Sequence, residues 1–224
     1  MTRKLYYEDC HLTRFQAKVT GCESCDKGYE IQLDATAFYP EGGGQACDLG
    51  TLGSARGLDV RERGERILHL CDAPLETGST VEGSIDYERR FDLMQQHTGE
   101  HIISGLVHSY YGFDNVGFHL GYEEVTMDFN GILTLEQLRD IEKMANQAIY
   151  QNLPVIASFP NKQDLAEMTY RSKLDLTDGV RIVRIPGIDA CACCAPHVDC
   201  TGQIGIIKII DVQSHRGGVR LNIL

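Results

Sequence analysis

Between residues 14 and 85 the chain alternates apolar and polar positions in short runs. Phe15–Thr20, Tyr29–Leu33, Leu58–Arg63, Arg66–Cys71 and Thr80–Ile85 each show partial period-two patterning with turn residues between them, which predicts short strands. Gly21 to Gly28 reads as a hairpin tip. Strands at this spacing predict a small β-barrel or sandwich. Near Tyr87 the period changes. Phe91, Met94, Thr98, Ile102 and Leu106 recur at helical spacing from about Glu88 to Tyr111, with Gly112 as the stop. Leu135, Leu138, Ile141, Ala145 and Ile149 form a second helical stripe, opened by the capping-box pair Thr134 and Gln137 and followed by Pro154. A short third helix is expected from Asn161, with Leu165 and Met168 inward, and then strands at Val180–Ile185, Ile204–Val212 and Val219–Ile223. The reading is α+β, with a change of pattern near residue 88 and neither a repeat nor a flexible linker.

Composition narrows the class. The 224 residues carry 42% hydrophobic and 24% charged side chains, ordinary globular usage, and no apolar run approaches a membrane span. The N-terminal residues lack the apolar stretch of a signal peptide, so a cytoplasmic protein is expected, with no membrane and no stable protein partner implied. Nine cysteines at irregular spacing fit metal ligation or buried thiols better than a disulfide framework. A net charge of −11 opposes non-specific nucleic-acid binding. Between Arg171 and Arg220, however, seven basic residues outnumber five acids, which leaves one region permissive for a polyanion.

Two pairs of side chains suit a metal. His97 and His101, four apart on the first helix, project from one face. Cys193 and His197 are also four apart, in Cys191-Ala-Cys-Cys-Ala-Pro-His197, where Pro196 favours a loop. Either pair alone also occurs in ordinary cores and surfaces. Together they fit one Zn²⁺ site assembled from distant segments. Four protein ligands would close a tetrahedron, which is usual for structural zinc, so the spacing leaves open whether such an ion is catalytic. The run Thr36-Ala-Phe-Tyr-Pro-Glu-Gly42-Gly43-Gly44-Gln45 contains a glycine turn flanked by Thr36 and Gln45, two groups able to hydrogen-bond a small ligand. No Gly-Lys-Ser/Thr follows, so it is not a nucleotide-gripping P-loop. Glu100 lies beside the histidines as a candidate base or supporting group. Cys194 and His119 are candidates near the site, Cys191 and Cys200 are packing candidates, and His108 is a candidate core residue. Cys10, Cys47 and Cys71 read as buried small apolar residues, and Cys22-x-x-Cys25 as a surface loop.

Thr36–Gln45 with Asp48 and Gly50, His97-x-x-x-His101 and Cys193-x-x-x-His197 occur in the order seen in the editing domain of alanyl-tRNA synthetases. The chain resembles the free-standing form of that domain, the AlaX family, in its medium-length version, from about Tyr6 onward. The resemblance implies a β-barrel-like domain over residues 1–87 carrying the glycine motif. It implies a mixed α/β zinc-binding editing domain, with an antiparallel sheet and helices, over 88–224. The implied activity is hydrolysis of the ester of mischarged tRNA(Ala), chiefly Ser-tRNA(Ala) or else Gly-tRNA(Ala), at the acceptor end, a translation-fidelity function. His97, His101, Cys193 and His197 would hold Zn²⁺, Thr36 would sense the serine hydroxyl, and Gln45 with Gly42, Gly43 and Gly44 would complete the substrate site. The usual Cys-Gly-Gly-Thr-His is altered here by Cys194, Ala195 and Pro196, which bears on amino-acid specificity.

Two other readings compete. His97-Thr-Gly-Glu100-His101 also fits the inverted zinc-peptidase pattern H-x-x-E-H, with Glu100 as base. A zinc-stabilised tRNA-binding module without catalysis would use the same four ligands.

Overall fold

A computed structural model describes residues 1–121, 124–172 and 179–224. Lys173, Asp175 and Asp178, which contribute to the charge count above, lie outside the described residues. The chain divides into two compact units, Met1–Leu93 and Met94–Leu224.

The first unit contains β1 (Arg3–Lys4), β2 (Arg14–Cys25), β3 (Gly28–Leu33), β4 (Ala35–Thr36), β5 (Gly50–Leu52), β6 (Ala55–Arg63), β7 (Arg66–Cys71) and β8 (Thr80–Ile85). Six of these close on themselves in the order β2-β3-β7-β6-β5-β8, and β1 pairs with β4. Alternation sets the inner face. Phe15, Ala17 and Val19 of β2 are buried, as are Ile31 and Leu33 of β3, Val60 of β6 and Ile67 of β7. The hairpin tip expected at 21–28 is strand almost throughout, since β2 runs on to Cys25 and only Asp26 and Lys27 make the turn. A register shift between Val19 and Gly21 carries β2 past the point where its alternation fails. Strand β6 likewise begins three residues before Leu58, and β5 was not apparent from the pattern. Cys47 and Cys71 are buried, whereas Cys10 is only partly so.

Helix α1 spans Tyr87–Tyr111. The Asp86 carboxylate accepts the Arg89 N–H at 3.2 Å, and the Gly112 N–H reaches the His108 carbonyl at 2.9 Å. Its apolar stripe is buried at Met94, Ile102 and Leu106, and Ile103 and Val107 are buried beside it. His108 does not join this core. It is exposed and pairs with Asp114 at 2.9 Å.

The second unit adds β9 (Asn115–Leu120), β10 (Val125–Phe129), α2 (Leu135–Tyr150), β11 (Ile156–Ser158), α3 (Lys162–Glu167), β12 (Ile182–Ile185), β13 (Asp189–Ala192), β14 (Ile209–His215) and β15 (Gly218–Ile223). Strands β14-β15-β10-β9 form one antiparallel sheet and β11-β12-β13 another, so the chain is α+β. The Thr134–Gln137 capping box opens α2, and Leu138, Ile141, Ala145 and Ile149 are buried. Leu135 is 62% exposed, because the first turn of α2 overshoots the core. Asn161 caps α3, and its Leu165 forms a small cluster with Val180 and Ile182, against which Met168 packs. The strand expected at Ile204–Val212 begins only at Ile209. Thr201–Ile204 is a tight helical turn, and the Asn146 side chain of α2 binds both the carbonyl and the N–H of Ile207, at 2.7 and 3.0 Å, in place of a strand neighbour. Among the described residues, no helix is long and apolar enough to cross a membrane.

Asp48 and Arg90 form a fully buried ion pair in the first unit. Asp48 also accepts the Tyr39 N–H, and Arg90 donates to the carbonyls of Ala37 and Cys10. Removing one partner strands a charge in the interior, which costs about 3–5 kcal/mol. Asp48→Ala is therefore expected to lower the urea-unfolding free energy by that amount, and a loss below about 1 kcal/mol would mean that the pair is dispensable.

Candidate metal centre

One turn of α1 separates His97 from His101, and the loop after β13 carries Cys193 and His197. Pro196 keeps that loop from becoming helical. Within it, the Cys193 N–H donates to the Arg181 carbonyl at 3.0 Å. The Arg181 guanidinium returns two hydrogen bonds, to the carbonyls of Cys193 and Ala195 at 3.0 and 2.8 Å. The ligand atoms of His97, His101, Cys193 and His197 all lie within 4.8 Å of one another, and the three imidazoles are buried. Cys193 Sγ is 3.6 Å from His97 Nε2 and 3.3 Å from His197 Nε2. Ordinary zinc–sulfur and zinc–nitrogen lengths at a tetrahedral angle require about 3.5 Å along such an edge. The four side chains therefore fit a tetrahedral cation.

Each ring is fixed from behind. Thr98 spends its only hydroxyl hydrogen on the Met94 carbonyl at 2.7 Å, so His197 must carry its proton on Nδ1 and donate it to Thr98 Oγ1 at 3.1 Å. That leaves His197 Nε2 facing the thiol. His101 presents Nδ1 to Asp189 at 3.1 Å, and Phe118 lies against His97 with ring centroids 5.2 Å apart. Burial pushes the Cys193 thiol up, but the imidazoles of His97 and His197 pull it down further, and it is held well below the ordinary thiol range. Burial lowers His101, yet Asp189 and the Cys193 sulfur outweigh it and hold this imidazole well above its ordinary value. Burial takes His197 down to about 3. The lowered thiol favours the ligating form of the sulfur.

Glu100 is buried next to His101. Its Oε1 accepts from Ser104 and Asn115 at 2.7 and 2.6 Å, and its Oε2 lies 3.8 Å from His101 Nε2. His119 is exposed on β9, because strand alternation gives the place beside His97 to its neighbour Phe118. Cys194 is exposed, and burial pushes the Cys191 thiol up to about 11. Among the described residues, no metal-type cluster includes Cys22 or Cys25.

The glycine motif belongs to the first unit. Gly42 and Gln45 pair across a two-residue turn in which Gly43 and Gly44 both take positive φ, at 57° and 82°, a conformation that strains any residue with a Cβ. The Tyr39 hydroxyl donates to the Gly42 carbonyl at 2.9 Å. Thr36 is fully buried and tied to a histidine that the sequence did not suggest. His69 Nδ1 donates to the Ile31 carbonyl at 3.2 Å, so its Nε2 accepts the Thr36 hydroxyl at 2.9 Å, and Thr36 Oγ1 accepts the Phe38 N–H at 3.1 Å. Among the described residues, one lone pair of Thr36 remains uncommitted.

The sequence is similar to those of known proteins. The family described as "Threonyl and Alanyl tRNA synthetase second additional domain" matches residues 180–221, the stretch that contains Cys193 and His197. The chain is 37% identical, over 97% of its own length, to a quarter of the alanine–tRNA ligase of Ignicoccus hospitalis. It is 34% identical over 91% of its length to half of the alanyl-tRNA editing protein Aarsd1-A of Xenopus laevis, and 30% identical over 92% to 54% of Aarsd1 of Danio rerio. It spans between a quarter and about half the length of these relatives. Along most of its own length the chain is similar both to alanyl-tRNA editing proteins and to a part of alanine–tRNA ligases.

Complete burial takes His69 down to about 4 from an ordinary value of 6.5. Between those values the unfolded chain binds a proton that the folded chain refuses. The contribution is whole above pH 6.5 and is lost as pH falls towards 4. At about 1.4 kcal/mol per pH unit, roughly 3 kcal/mol is at stake. His69→Gln is expected to flatten the fall in unfolding free energy between about pH 7 and about pH 5. A pH dependence identical to that of the unaltered protein would show that His69 is not kept neutral by the fold.

Proposed function

We propose that this chain is a trans-editing aminoacyl-tRNA deacylase that hydrolyses the ester of mischarged tRNA(Ala), with Ser-tRNA(Ala) as principal substrate and Gly-tRNA(Ala) as the alternative. The convergence of three buried imidazoles and one cysteine sulfur, in a chain similar to alanyl-tRNA editing proteins, carries the proposal. In this reading residues 1–87 contribute the glycine motif and residues 88–224 are the editing part. The four ligands hold Zn²⁺, and a zinc ion supplies a Lewis acid for the aminoacyl ester or the groups around it.

The chain's own residues do the rest. His97, His101, Cys193 and His197 grip the ion. Glu100, anchored through one oxygen by Ser104 and Asn115, has the other beside the cluster and is the candidate to orient or deprotonate water. Thr36 can offer a substrate hydroxyl only an acceptor, because His69 takes its hydrogen. Serine in an editing substrate would then be the donor. Gln45 carries an amide able to donate to a carbonyl oxygen.

The test is deacylation of Ser-, Gly- and Ala-tRNA(Ala) by the unaltered protein and by His97→Ala. Rapid loss of seryl ester that His97→Ala abolishes is the expected result. Stoichiometric zinc with tRNA binding but no turnover would establish a binding module instead, and peptide cleavage removed by Glu100→Gln would establish a peptidase. Thr36→Val is expected to slow Ser-tRNA(Ala) deacylation about ten- to a hundredfold, and to slow any activity on Gly- or Ala-tRNA(Ala) less. Equal loss on all substrates would remove Thr36 from selection.

A further inference from the structure

Asp189 opens β13, and its carboxylate faces two partners at once. One is His101, whose Nδ1 lies 3.1 Å from Oδ2. The other is Arg171, whose Nε and Nη2 grip Oδ1 and Oδ2 at 2.8 and 2.9 Å in a two-pronged pair. Both side chains of the His101–Asp189 contact are about 2% exposed, so water does not compete for it. Asp189 reaches the helix through a gap in the side chains of α1. Gly105 sits one turn beyond His101, and a Cβ there would stand 2.5 Å from the Ile188 carbonyl oxygen and 2.7 Å from the Asp189 Cβ. Only glycine lets that backbone come so close.

We propose that Asp189, clamped by Arg171 and admitted by Gly105, is a positioning residue for the metal site: it fixes the ring of His101 with the proton on Nδ1 and Nε2 turned to the other three ligands. A histidine ligand needs such a partner, because a free ring samples both tautomers and several orientations. A carboxylate behind it also raises the basicity of the ligating nitrogen. The Arg171 fork engages both Asp189 oxygens. The carboxylate so held stands as the ion-pair partner of His101. Thr98 performs the matching service for His197 with a neutral hydroxyl, so the two rings are held by different chemistries.

The inference rests on the four-ligand site proposed above but not on any catalytic activity, and its readout is metal binding by the full chain. Zinc affinity is measured by competition with a chromogenic chelator, and ligand geometry by the visible absorption of Co²⁺ in place of zinc. Asp189→Asn is expected to weaken zinc binding about 10–100-fold and to alter the cobalt spectrum. Gly105→Ala, which retains every polar group, is expected to shift both readouts in the same direction. Urea unfolding of the metal-free proteins separates this from general damage, because a purely structural Asp189 would lower stability while leaving affinity and spectrum unchanged. Zinc affinity and cobalt spectra unchanged in both variants would overturn the proposal, as would failure of the unaltered chain to bind either metal. If the unaltered chain binds zinc and the variants respond as expected while no tRNA is deacylated, the positioning role stands and the deacylase reading falls.

Discussion

Three imidazoles and a thiol buried against one another are a demanding arrangement. In the absence of a cation they must divide too few protons among too many bases, at a place where water cannot help. The second unit answers this at the outer edges of the rings. Thr98 gives its hydrogen to a backbone carbonyl and so obliges His197 to point its lone pair inward. Asp189 brings a full charge to within 3.1 Å of His101 Nδ1. The thiol lies among these rings, which draw it towards the thiolate. What looks like a ligand set is therefore an ordered proton arrangement, and the buried positions around it follow from keeping it dry and oriented.

The same logic recurs in the first unit without any metal. Thr36, His69 and the Phe38 N–H form a chain in which each hydrogen has one destination. Burial keeps His69 neutral, which keeps its Nε2 an acceptor and the Thr36 hydroxyl turned towards it. Around this chain, the Asp48–Arg90 pair gathers the backbone of Ala37, Tyr39 and Cys10. A loop that might otherwise be defined only by its glycines is thus braced by one buried carboxylate and one buried guanidinium.

Much of this was legible in the sequence where a period or a spacing carried it. The long helix, the capping box of α2, the cap at Asn161 and the two pairs of residues four apart all depend on local geometry. The groups that orient the site were not legible. Asp189 lies 88 residues from His101, Arg171 lies 18 from Asp189, and His69 lies 33 from Thr36, so no local pattern ties them together. Thr98 was visible only as one place in an apolar stripe. The late start of β14 was hidden for a related reason: a side chain of α2 takes the hydrogen bonds that a strand would have made at Ile207. His108 misled because helical spacing continues to the surface, where the core does not follow.

The Arg181 clasp on the Cys193–His197 loop bears on how much substitution the loop tolerates. Two carbonyls of the loop are gripped from outside, and its Cys193 N–H is pinned to the Arg181 backbone. The distance between thiolate and imidazole is then governed by a residue twelve positions upstream rather than by the three residues between them. Cys194 and Ala195 are thereby relieved of shaping the turn and Pro196 has only to bar a helix, so substitution at the centre of the loop is expected to leave its ends in register.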